Sequence, residues 1–137
     1  MEEKYAYVTL LSSWDYLLAV LVLNKSLILS NSKYPLVVGV TEDIYDLVSF
    51  YLEKENILFK QIPNLEYSNE IKEKWGEDNS VLKTAPKIAL FNFLEFDKLV
   101  YIDADVIIRK NMDELFLYPD GSLLVADGTI LSGLIVY

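Results

Sequence analysis

The chain has 137 residues, 53% of them hydrophobic and 24% charged, the composition of one packed globular domain over 1–137 rather than of a disordered tail. A formal charge of −9 argues against DNA or RNA, whose binding draws on Lys and Arg to displace condensed counterions; a small anion such as a nucleotide diphosphate stays open if a cation or a local Lys offsets the repulsion. With no Cys and no His, disulfides, thiolate nucleophiles, Cys- or His-bound zinc and imidazole bases are excluded, so chemistry must run on carboxylates, Lys, hydroxyls and backbone groups.

Tyr5 to Leu11 is an apolar, aromatic and β-branched run ending at Ser12-Ser13, which predicts a buried strand. From Trp14 the positions Leu17, Leu18, Leu21, Val22, Ile28 and Leu29 recur at helical spacing, with Ser12 or Ser13 as N-cap and Asn31-Ser32 as the stop. Leu36 to Val40 predicts a second strand, and Thr41, Glu42 and Asp43 open a helix whose face holds Ile44, Leu47, Val48, Tyr51 and Leu52. Ile57 to Ile62 reads as a third strand, closed by Pro63 and Asn64. The polar stretch Glu66 to Ser80 lacks periodicity and reads as a surface excursion.

Thr84, Ala85 and Pro86 then start a helix whose buried side is expected at Ile88, Ala89, Leu90, Phe93 and Leu94. Leu99 to Ile102 is a fourth strand running straight into Asp103-Ala104-Asp105, and Met112 to Phe116 predicts a short helical turn. Leu123 to Ala126 and Gly133 to Tyr137 are further strand-like runs, the last with an exposed edge that invites pairing with a second copy, a homodimer. The β-α-β-α-β order predicts an α/β fold, a mostly parallel sheet flanked by helices. Met1-Glu2-Glu3-Lys4 lacks a signal peptide's basic flank, and Asn24, Lys25 and Ser26 interrupt the apolar run from Leu17 to Leu29. Neither export nor a membrane span is expected, and the expected location is cytoplasmic.

On an extended backbone residues i and i+2 point to one side, so Asp103 and Asp105 present two carboxylates at the sheet edge where α/β folds bind ligands. Oxygen ligands alone favour Mg2+ or Mn2+, with water and substrate phosphates completing the shell. With ten Asp in the chain, chance supplies about one D-x-D match, so the tripeptide alone says little. Its abutment on an apolar strand is the informative part, because carboxylates at the core edge bear a desolvation cost that a surface turn avoids. Lys87 sits at a predicted helix start, where it opposes the helix dipole unless a phosphate reverses the sign; an ordinary solvated Lys is the plainer reading. Ser12, Ser13 and Tyr16 follow the first strand at the same edge, where they would seat a nucleobase and ribose or serve as a helix cap and a surface Tyr.

Val8-Thr9-Leu10-Leu11-Ser12-Ser13 with Tyr16, and then Leu21-Val22-Leu23 through Ser26-Leu27, resembles the opening of the glycogenin-like retaining glycosyltransferases of family 8. Lys87, Leu99-Val100-Tyr101-Ile102-Asp103-Ala104-Asp105-Val106 and Asn111-Met112-Asp113-Glu114-Leu115-Phe116 resemble that family's most characteristic block, in the same order and spacing. The resemblance implies a GT-A fold, Rossmann-like, with a UDP-sugar donor, UDP-glucose or UDP-galactose, and a bridging Mn2+. It implies that Leu10, Ser12, Ser13 and Tyr16 line the uridine site and that Lys87 approaches the donor's phosphate or sugar. Asp103 and Asp105 would hold the metal, with Asp103 also near the ribose and Ala104 giving backbone contacts. Leu131 departs from the family's Asn at that point. Members also run on well beyond this chain, bringing a His as a further metal ligand and most of the acceptor pocket, so the resemblance covers their nucleotide-sugar-binding part.

The expected function is therefore hexosyl transfer from a UDP-sugar, the acceptor being unidentified. The alternative is a UDP or UDP-sugar-binding module with at most slow hydrolysis. A phosphoacceptor signalling domain also clusters Asp with a Lys at a sheet edge, but it wants an acidic pair where this chain has Ser12 and Ser13.

Overall fold

The computed structural model describes the backbone of residues 2–64, 67–76, 85–126 and 129–136, and the side chains of those up to 122 apart from 85. The strands are β1 (Tyr5–Leu11), β2 (Leu36–Thr41), β3 (Leu58–Ile62), β4 (Lys98–Ile102), β5 (Leu123–Ala126) and β6 (Thr129–Val136). They form one sheet in the order β3-β2-β1-β4-β6-β5. The first four strands are parallel, β6 returns antiparallel to β4, and β5 is antiparallel to β6.

Position in the sheet explains composition. β1 and β2 lie inside it and are buried along almost their whole length, as their unbroken apolar runs require, whereas β3 is an edge strand with Lys60 and Gln61 exposed. One face carries the helices α1 (Leu17–Leu29) and α2 (Tyr45–Lys54), together with a 3₁₀ turn at Asp113–Leu117. They pack Val20, Leu23, Leu27, Val48, Leu52 and Phe116 over Tyr7, Leu11, Val38 and Val40. The other face is covered by a 3₁₀ helix, Ala85–Asn92, whose Leu90, with Phe93 just beyond it, packs on Ala6, Val8, Val37 and Tyr101. No helix among the described residues is long and apolar enough to cross a membrane.

Both long helices end by the same device. Asn31 and Asn56 adopt left-handed φ of 57° and 54°. Around them Ser32 N–H donates to the Leu27 carbonyl and Asn31 N–H to that of Ile28, and Ile57 N–H and Asn56 N–H do the same to Leu52 and Glu53. Asn tolerates this conformation, so the last carbonyls of each helix are satisfied and the chain is turned into the next strand.

Several expectations change. The helix expected from Thr84 is a 3₁₀ helix from Ala85, Thr84 itself lying outside the described residues. Its three-residue repeat eclipses positions i and i+3, so the row Lys87, Leu90, Phe93 faces the sheet, while Ile88 and Leu94 of the expected α-helical stripe are exposed at 67% and 86%. On α2, Val48 and Leu52 are buried, but Leu47 and Tyr51 of the same expected face are exposed.

The stretch read as a featureless excursion holds a short helix, α3 (Asn69–Trp75), started by Ser68, whose side chain accepts from Ile71 N–H. A side-chain cap and local charge organise it, with no apolar stripe to betray it. The open edge expected on the final strand is absent, because β6 lies between β4 and β5 and is paired on both sides. The expectation of a homodimer through that edge thereby loses its ground.

Candidate functional site

Parallel strands put the carboxyl ends of β1, β2 and β4 on one edge, and each runs there into a residue singled out by the sequence. β4 stops at Ile102, and Asp103-Ala104-Asp105 form a turn rather than a continuation of the strand, with Val106 N–H donating to the Asp103 carbonyl at 3.3 Å. The pleated-strand argument for two carboxylates on one side therefore does not apply. A turn, instead of a pleat, keeps them close in the chain. Asp105 is exposed, Asp103 half-buried, and Ala104 is packed into the core under α1 and α2.

Asp103 is engaged from two directions. The Tyr101 hydroxyl donates to its Oδ1 at 2.7 Å, and Lys87 Nζ donates to the same oxygen at 3.3 Å. Lys87 Nζ also stands 4.7 Å from the centroid of the Tyr101 ring. Tyr101 and Asp103 are brought together by their two-residue spacing at the end of β4, and Lys87 by the 3₁₀ repeat that turns it to the sheet with Leu90. Lys87 is thus tied to the carboxylate that the sequence had left it apart from. Tyr101 was missed as a functional residue, although its position two before Asp103 was a usable signal.

Leu10 lies on the same face of the sheet as Tyr101, two residues beyond the last β1–β4 pair, Val8↔Tyr101. Ser13 stands at the N-cap position of the 3₁₀ turn Trp14–Tyr16 with extended backbone, yet its side chain makes no capping bond. Ser12 and Ser13 are half-buried and Tyr16 is 49% exposed, so both hydroxyls and the ring remain at the edge beside β4. Thr41, at the carboxyl end of β2, is buried with its hydroxyl unpartnered among the described residues. That edge therefore presents hydroxyls, a half-exposed aromatic ring, two carboxylates and one ammonium.

The turn is anchored from behind. After Asp105 the chain passes beneath α1 to the opposite edge, where Ile108 N–H donates to buried Ser26 Oγ at 2.9 Å. Asn111 Nδ2 donates to the Asn31 carbonyl at 3.0 Å. Asp113 then accepts from the Tyr7 hydroxyl, Ser32 Oγ, Lys33 N–H and Asn111 Nδ2. Burial pushes the Asp113 carboxyl up, but those donors outweigh it and hold the group below the usual aspartate value. The Tyr7 phenol is pushed well up by burial and by its bond to Asp113.

Hard carboxylate oxygens, with neither imidazole nor thiolate, suit Mg2+ or Mn2+. Among the described residues no third acidic group joins Asp103 and Asp105. Two protein carboxylates are the usual complement for an ion that completes its shell with substrate phosphates and water.

Residues 7–126 match the family model described as glycosyl transferase family 8. Galactinol synthase 1 of Solanum lycopersicum is 36% identical over 128 residues, covering 92% of this chain and 40% of that protein. Inositol phosphorylceramide glucuronosyltransferase 1 of Arabidopsis thaliana is 33% identical, covering 83% of this chain and 20% of its own. Among solved structures, the galactosyltransferase LgtC, crystallised with donor and acceptor sugar analogues, superposes over 96% of this chain and 56% of its own. The TM-score there is 0.59 at 16% identity. The glycosyltransferase GlyE of Streptococcus pneumoniae superposes over 97% and 34%, with a TM-score of 0.56 at 17% identity. These likenesses carry the fold, of the GT-A type. The chain spans less than half the length of the curated relatives it matches.

Proposed function

Since the chain belongs to glycosyl transferase family 8, we propose that it forms the nucleotide-sugar-binding part of an enzyme that transfers a hexosyl group from a UDP-sugar with retention of configuration. The observation that supports this most is the cluster at the carboxyl edge, where Lys87 and Asp103 meet beside exposed Asp105. In this reading Asp103 and Asp105 hold Mn2+ or Mg2+, and the main chain at Ala104 contacts the donor. Leu10, Ser12, Ser13 and Tyr16 seat the uridine, the ring of Tyr16 by stacking and the two hydroxyls by hydrogen bonds. Lys87 leaves its partial pairing with Asp103 for a phosphate oxygen, which gives that cation a stronger partner than a half-exposed carboxylate. A bound divalent ion would supply Lewis-acid stabilisation of the charge on the departing UDP.

The galactinol synthases among its relatives, 36% and 35% identical, incline the donor toward UDP-galactose over UDP-glucose. A second reading, a module that holds UDP-sugar and at most hydrolyses it slowly, draws support from Leu131, which stands where the resemblance has Asn.

Calorimetric titration of UDP with and without Mn2+ tests the binding site. Binding is expected to require the ion and to vanish in an Asp103→Asn, Asp105→Asn variant. Binding that survives that change would sink the assignment. Assay of glycoside against free hexose from the UDP-sugar then separates transfer from hydrolysis.

A further inference from the structure

Tyr101 is buried, 3% exposed, on the face covered by the 3₁₀ helix, among Ala6, Val8 and Leu90. Its phenol is a polar group taken from water, so a Tyr at this place costs more than a Phe unless the hydroxyl finds a partner. That partner is Asp103 Oδ1, 2.7 Å away at the edge of the site. The ring of the same residue lies under Lys87 Nζ, which reaches the same oxygen. One side chain therefore engages the carboxylate through its O–H and the ammonium through its π face.

We infer that Tyr101 is a positioning residue, whose hydroxyl holds the Asp103 carboxylate by Oδ1 so that Oδ2 is presented to a divalent cation. The inference rests on the nucleotide-sugar reading above. Asp103 sits on a turn just past the end of β4, where its side chain is held by no strand neighbour of its own. The two donors to Oδ1 act differently. The phenol is neutral, so it orients the carboxylate without cancelling the charge that a cation needs. Lys87 is itself a cation and competes for that charge. Orientation thus belongs to Tyr101, and Lys87 is left to engage phosphate.

Mn2+ titration, with the free ion followed by electron paramagnetic resonance, tests this on the wild-type chain and on Tyr101→Phe, Lys87→Met and Asp103→Asn, each with and without UDP. Tyr101→Phe keeps the ring, its packing and its contact with Lys87, and removes the O–H alone. Its Mn2+ dissociation constant is expected to rise roughly 10- to 100-fold, as for other outer partners of ligating carboxylates. Its thermal midpoint should stay within a few degrees of wild type, and Lys87→Met should bind Mn2+ alone at least as tightly as wild type.

Equal Mn2+ affinity in wild type and Tyr101→Phe overturns the inference and leaves the cation site standing. Equal weakening by Lys87→Met overturns it as well, because orientation would then not be specific to the phenol. A Tyr101→Phe chain that loses its cooperative melt overturns it too, since the hydroxyl would be part of the fold. A wild-type chain that takes up no Mn2+ through Asp103 defeats the nucleotide-sugar reading and this inference with it.

Discussion

Replacing Asp113 with Ala removes the shared acceptor of four donors. Oδ1 takes the Tyr7 hydroxyl at 2.9 Å and Ser32 Oγ at 2.8 Å, while Oδ2 takes Lys33 N–H at 2.9 Å and Asn111 Nδ2 at 3.2 Å. Lys33 and Asn111 are exposed, so water replaces what they lose. Tyr7 is fully buried, so its hydroxyl loses its charged acceptor without water to replace it, whereas Ser32 Oγ still has the Tyr34 carbonyl at 3.1 Å. A hydrogen bond to a charged acceptor contributes about 1.5–3 kcal/mol, and with a smaller share from Ser32, which exchanges a charged partner for a neutral one, the loss is roughly 2–4 kcal/mol in all.

For a chain of this size that is a fall of roughly 5–15 °C in melting midpoint. Urea denaturation at pH 7 is the direct assay, with a lower midpoint and an unchanged slope expected. Acid supplies a second readout. The Asp113 carboxyl is depressed in the folded state, so its contribution is complete above the unfolded aspartate value of about 4 and is lost as pH falls through the lower folded value. The stability gap between wild type and Asp113→Ala must therefore narrow as pH falls below about 4. A gap under about 1 kcal/mol at pH 7, or one that persists undiminished to low pH, refutes the reasoning.

Ser26→Ala leaves the Ile108 N–H buried without its acceptor and should cost about 1–3 kcal/mol in denaturant titrations. It should also loosen the segment leading back to Asp103 and Asp105, read as faster amide exchange at Ile108. Gly39→Ala places a Cβ 2.2 Å from Cδ2 of the fully buried Leu90, so that side chain or the 3₁₀ helix that carries it and Lys87 must shift. A loss of about 1–3 kcal/mol is expected, with weaker nucleotide binding in calorimetry; an unchanged melt would show that the face has slack. Asp103→Asn with Asp105→Asn should abolish Mn2+-dependent UDP binding with little change in melting, since both carboxylates sit at or near the surface.

The local period of apolar residues was enough for the parallel strands and the long helices. β1 and β2 read as unbroken apolar runs because both their faces are covered, and the stops at Asn31 and Asn56 follow from one residue's tolerance of left-handed φ. The family block from Leu99 to Phe116 was legible too, but its parts do different work. Asp113, which the sequence marked only as part of that block, is a staple at the opposite edge that ties the segment to β1 and the end of α1.

Tertiary structure alone decided the rest. The stripe expected on α1 is mostly not its buried side: Leu18, Val22, Ile28 and Leu29 are exposed, Leu29 at 71%, and Val20, Leu23 and Leu27, no more apolar, are buried instead. The 3₁₀ repeat from Ala85, which brings Lys87 onto Tyr101 and Asp103, depends on contact with the sheet that no periodicity encodes. The insertion of β6 between β4 and β5 depends on a long-range pairing choice. Sequence specifies what each segment prefers; where two segments sixteen or more apart meet, the packing of both together decides.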